Sequence, residues 1–135
     1  MTLIVQVDDY DHKYLSADFA EDIGAKVEHL KFKSDLEISL KKEKADLYII
    51  DLSFKNTSSS SMPLEDIGID AIDLIRQTYS DAQIIIYSDK LVKGPKWVND
   101  YNTMRKKNSL EPDVYFVSSR GGNSGLKEKV KEILT

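Results

Sequence analysis

The chain has 135 residues, 41% of them hydrophobic and 31% charged, with a formal net charge of −4. That length suits one domain with one core, read as residues 1–135. The mildly acidic balance argues against nucleic-acid binding, and the absence of cysteine excludes disulfides and thiolate metal sites.

The first five residues lack the basic and long apolar stretches of a signal peptide. No apolar run approaches the roughly 20 residues of a membrane span. The expected location is therefore the cytoplasm, with no membrane partner.

Along the chain, residues 3–7, 47–50, 84–87 and 114–117 are short apolar runs rich in β-branched and aromatic side chains, which predicts buried strands. Their near-continuous apolarity is that of parallel strands covered on both faces. Residues 26–32, with Val27, Leu30 and Phe32, form a weaker fifth candidate. Between them lie one-sided apolar stripes at helical spacing. These are Leu36 and Leu40, then Ile69, Ile72 and Ile75 behind a cap at Asp66, then Trp97, Tyr101 and Met104, and last Leu126, Val130 and Ile133. Core packing explains each stripe. Strand and helix alternate five times, which predicts an α/β fold with a five-stranded parallel sheet and right-handed crossovers. The serine run at residues 58–61 falls in a long loop after the third strand.

Ligands of open α/β sheets bind beyond the carboxyl ends of the strands. The first strand ends in Asp8 and Asp9, the third in Asp51, the fourth in Ser88. Three crowded carboxylates repel one another, and a divalent cation relieves that repulsion. Mg²⁺ suits such a site because it takes oxygen ligands and keeps several waters. A phosphoryl group on Asp51 would then have its charge balanced, and Ser88 can donate a hydrogen bond to it. Taken alone, Asp9 reads as an acid that faces water. The glycine-rich segment 121–125 is not a Walker A loop, and Asn123 or Ser124 is read as a helix cap. His12 and His29 have no partner at metal-ligand spacing and receive no role.

Together these residues resemble the receiver domain of bacterial response regulators. The acidic pair after the first strand, the acid after the third, the Ser ending the fourth, Met62-Pro63, Gly68 and Ile75-Arg76 all match that pattern in order. The resemblance implies a flavodoxin-like, doubly wound (β/α)5 three-layer sandwich. It implies Asp51 as phosphoacceptor, Tyr115 as the aromatic switch, and Mg²⁺ held by Asp8, Asp9, Asp51 and the backbone carbonyl of Ser53. It further implies a histidine kinase or phosphotransfer protein as donor. Two departures stand out. Where receivers end the fifth strand with lysine and proline, this chain has Ser118-Ser119, and the loops after Asp51 and between Asp89 and Pro112 are long. Arg120 and Lys90 are nearby substitutes for the missing cation.

The leading expectation is a stand-alone receiver-like signalling domain that regulates a partner protein, and is not a turnover enzyme. The alternatives are a pseudo-receiver that binds partners without phosphorylation and, lower in rank, a Mg²⁺-dependent phosphohydrolase, whose second acid is replaced by Ser53. A nucleotide-binding role finds no glycine fingerprint after the first strand. Residues 90–107 hold six basic residues against Asp100, and this segment is the expected contact with a protein target.

Overall fold

The computed structural model describes residues 2–9, 14–51, 67–88, 114–119 and 122–135. Its elements are β1 (Thr2–Val7), α1 (Ala17–Asp22), β2 (Ala25–Leu30), α2 (Lys33–Lys42), β3 (Leu47–Ile50), α3 (Ile67–Thr78), β4 (Ile84–Ser88), β5 (Val114–Ser118) and α4 (Ser124–Leu134). The five strands pair in parallel in the order β2-β1-β3-β4-β5.

β3 and β4 are buried at every position, which is why their sequences are apolar without alternation. Side-chain alternation divides the core. On one face Val5, Val7, Tyr48, Ile50 and Ile86 pack under α2 and α3, through Leu36, Leu40, Ala71, Ile72 and Ile75. On the other, Ile4, Leu47, Ile49, Ile85 and Tyr87 pack against Phe19 of α1 and Leu126 and Val130 of α4. Each such fully buried aliphatic side chain contributes about 1.5–3 kcal/mol relative to exposure. The result is the five-stranded parallel sheet expected from the strand pattern, and the three-layer, doubly wound sandwich that the receiver resemblance implied. Among the described residues no helix is long and apolar enough to cross a membrane.

The weak fifth candidate is real, as β2. α1 carries no periodic stripe, because it is six residues long. Its signal is Ser16, whose side-chain oxygen accepts from the Phe19 N–H at 3.2 Å. Gly24 ends it: at φ +67° it occupies the left-handed region that turns the chain into β2. The stripe of Trp97, Tyr101 and Met104, the basic segment 90–107, the serine run and Asp66 lie outside the described residues.

Tyr48 offers a test of the core. Its hydroxyl, fully buried, accepts from the Ala45 N–H at 3.0 Å. Burial pushes its pKa up from 10.0 to about 12. The folded state therefore favours the neutral phenol. Its contribution is intact below pH 10 and is lost as the pH rises towards about 12. Tyr48→Phe should flatten that part of the alkaline denaturation curve. It should also cost about 1–3 kcal/mol at neutral pH, because the Ala45 N–H loses its partner.

Candidate functional site

After β1 the chain moves outward to β2, then returns past β1 to β3. The strand order thus reverses between β1 and β3, and a crevice opens at their carboxyl ends. Asp8-Asp9 and Asp51 are the residues that follow those two ends. The ladder fixes their backbones. The Asp8 N–H donates to the Leu30 carbonyl at 3.0 Å, and the Asp51 N–H donates to the Val7 carbonyl at 3.1 Å.

Asp8 is 1% exposed and Asp51 4% exposed, and Asp9 is half-buried. Carboxylate oxygens of all three lie within 4.8 Å of one another. One oxygen of Asp9, Oδ1, is buried with no hydrogen-bond partner among the described residues, which corrects the reading of Asp9 as an acid turned to water. A buried acceptor of this kind is costly unless something satisfies it. An oxygen-seeking divalent ion fits this set: hard carboxylate donors, close enough to share it, one of them without a partner. Mg²⁺ matches better than zinc, since the described residues of the site include no His and the chain has no Cys.

Ser88 closes β4 and is fully buried. The register pairs Ile50 with Ile86, so Tyr87 stands level with Asp51 and Ser88 one residue beyond. Ser118 ends β5 opposite Ser88, and the Ser119 N–H donates to the Ser88 carbonyl at 3.0 Å. Tyr115, the expected switch aromatic, is half-buried on the α4 side, with Lys129 Nζ 4.9 Å from its ring centre. Ser53, Arg120 and Lys90 lie outside the described residues.

Four residues that the sequence reading passed over support the crevice. Gln6 is fully buried, and its Oε1 accepts from the Leu15 N–H at 2.9 Å. Tyr14 donates its hydroxyl to the Asp8 carbonyl at 2.5 Å, with the Leu30 carbonyl at 3.1 Å. His29 has a structural role after all. Its ring stacks on Tyr14 at 4.2 Å between centroids, and its Nε2–H donates to the Leu15 carbonyl at 3.2 Å. Tyr87 reaches across to α4, donating to the Gly122 carbonyl at 3.2 Å and to Asn123 Oδ1. Asn123 does occupy the N-cap position of α4, but its side chain makes no capping bond. The expected cap position holds, but without the side-chain bond, since the Asn123 oxygen accepts from Tyr87. Burial, with the charge of Asp8 second, raises the Tyr87 pKa to about 12, so the phenol stays neutral beside the acids. Two of the four carried a signal in the sequence. Gln6 is a polar residue inside an apolar strand run, and Tyr87 is a hydroxyl ending another.

Similarity to solved structures decides the fold. A chemotaxis response regulator of Vibrio cholerae superposes with a TM-score of 0.66 at 14% identity, over 98% of each chain. The fold is that of a receiver domain. A receiver domain protein of Methanospirillum hungatei gives 0.65 at 18% identity, over 99% of this chain and 94% of its own. A response regulator receiver protein of Sinorhizobium medicae gives 0.62 at 17% identity, over 98% of this chain and 94% of its own. No protein-family model matches the sequence, and no curated protein matches it. In the receiver fold of this chain the acidic trio and Ser88 occupy the carboxyl-end crevice, and Ser118 stands at the end of β5.

Proposed function

We propose that this chain is a receiver-like signalling domain that accepts a phosphoryl group on Asp51 and, once modified, regulates a partner protein. The observation that carries this reading is the convergence of Asp8, Asp9 and Asp51 within 4.8 Å at the switch point of the sheet. In the transfer, an Asp51 carboxylate oxygen forms a bond to phosphorus as the bond from phosphorus to the donor's histidine nitrogen breaks. The donor is a histidine kinase or a phosphotransfer protein. Asp9 and Asp51 would hold Mg²⁺, with Asp8 assisting and the Ser53 carbonyl completing the protein's share. When bound, the ion supplies positive charge that offsets the incoming phosphoryl oxygens. Ser88 donates its hydroxyl to one of those oxygens. The protein target meets the basic segment 90–107, whose charge complements an acidic surface.

A second reading is favoured by one residue. Ser118 stands where a lysine would bring a positive charge, so the chain can be a pseudo-receiver that binds its partner without phosphorylation. One experiment separates the two. Mg²⁺ and beryllofluoride, which mimics a phosphoryl group, are added while melting temperature and amide NMR spectra are followed. Mg²⁺ at ten times its dissociation constant should stabilise the fold by about 1.4 kcal/mol. Beryllofluoride should then shift amides near Asp51 and Ser88. If Mg²⁺ raises the melting temperature but beryllofluoride moves no amide, the pseudo-receiver reading stands. No response to either sinks the acidic site as a phosphoryl site.

A further inference from the structure

We propose that two copies of this chain pair edge to edge through β2, in antiparallel register about Val27, to make one continuous ten-stranded sheet. β2 is the end strand of the sheet and pairs with β1 alone among the described strands. The Leu30 carbonyl accepts from Asp8, so the backbones of Lys26, Glu28 and Leu30 turn towards β1. By strand alternation those of Ala25, Val27 and His29 turn outward. Such an edge is a template for another strand, and proteins normally blunt it with proline, a bulge or like charge. β2 has no proline, and its two charges are opposite in sign.

Those charges select the register. With a twofold axis at Val27, Val27 faces its own copy, Lys26 faces Glu28 of the second copy, and the small Ala25 faces the large His29. The outward-facing positions then meet each other, as hydrogen-bonded pairs require. Sliding the strands by one symmetric step would set Lys26 against Lys26 or Glu28 against Glu28, and like charges directly opposite are destabilising.

The surface beside the edge fits the same occupant. A cleft of about 570 Å³ lies between α1 and β2, lined by Leu15, Ala20, Glu21, Lys26, Val27 and His29 among others. It exists because α1 has six residues and leaves part of the sheet's face bare. A twofold axis perpendicular to the sheet keeps the α1 face of both copies on one side, so the two clefts adjoin across the new edge-to-edge pairing. Closed twofold pairing of identical patches is the commonest route to a dimer.

Sedimentation of the full chain across a concentration series tests this. The unmodified chain should be a dimer that dissociates on dilution. Lys26→Glu and Glu28→Lys should each weaken it by about tenfold or more, since each turns both cross-strand pairs repulsive. An equimolar mixture of these two variants should associate again, because every Glu then faces a Lys. Val27→Pro should abolish pairing while leaving the monomer folded by circular dichroism, as the lost N–H points away from β1. A chain that stays monomeric throughout overturns the proposal. So does a dimer that tolerates both charge changes, or a mixture that fails to recover.

Discussion

Asp51→Asn should abolish phosphoryl incorporation from acetyl phosphate and, in metal-free buffer, raise the melting temperature. The two effects have one cause. At an effective dielectric constant near 20, two ionised carboxylates at the 4.8 Å limit of this cluster repel by roughly 3.5 kcal/mol. Asp51 takes part in two such pairs, and both it and Asp8 are almost wholly buried, so bulk water screens them little. Asparagine keeps the shape, removes the charge and removes the nucleophile. After protonation and relaxation absorb part of the repulsion, a gain of about 1 kcal/mol is expected, which for a chain of this length is about 4 °C. Saturating Mg²⁺ should erase that advantage, because the ion stabilises the unmodified site more than the one with a carboxylate missing. The melting curves of the two proteins should thus converge or cross as Mg²⁺ is added. Labelling is read by intact-protein mass spectrometry. If Asp51→Asn lowers the melting temperature in metal-free buffer, the carboxylate is there for structure, and the charge-cluster account is wrong.

β2, with Lys26, Glu28 and His29, gave only a weak signal, whereas the other four strands were plainly legible in the sequence because each is short, apolar and bounded by polar residues. That is the mark of a strand with helices on both faces, and residues 47–50 and 84–88 show why: every position is buried. The acidic trio was legible for a topological reason, since ligands gather where parallel strands end and three of those residues are aspartates. The supporting shell was not. Nothing in the spacing of Gln6, Tyr14 and His29 says that they converge on residues 14–15, because those contacts span β1, β2 and the segment between them. α1 was implied by the fivefold alternation but could not be located, because six residues hold too few turns for a stripe to form. Asn123 was legible as the N-cap residue, but its side-chain partner was not, because its oxygen is bonded by Tyr87, 36 residues away. Caps can be read locally, but competition for the same oxygen cannot.

Ser118→Lys should enlarge the response to beryllofluoride, seen as wider amide shifts across residues 88 and 114–118. A phosphoryl group carries about −1.5 to −2 charges and takes the place of the Asp51 carboxylate charge, so the modified pocket holds it beside the carboxylates of Asp8 and Asp9. Mg²⁺ offsets two charges, which leaves the modified site strongly negative. Ser118 ends β5 opposite Ser88, and its hydroxyl can donate a hydrogen bond but brings no charge. Such a bond to a charged group contributes about 1.5–3 kcal/mol. Driving a conformational equilibrium from 1:99 to 99:1 takes about 5.5 kcal/mol of differential binding. Serine alone therefore falls short, and the phosphorylated state is expected to couple weakly to movement of Ser88 and Tyr115. A lysine in its place supplies an ion pair of about 4 kcal/mol at 4 Å and an effective dielectric constant near 20, which exceeds the serine bond and narrows the gap. Its four-carbon stem can lie along the half-buried strand end while the ammonium reaches the crevice. Arg120→Ala supplies the opposing arm. If the unmodified chain already responds fully and Arg120→Ala removes that response, Arg120 is the cation, and Ser118→Lys will add little. A chain that stays silent in both its native and Ser118→Lys forms has an acidic crevice without a phosphoryl response, and its receiver fold then serves partner binding alone.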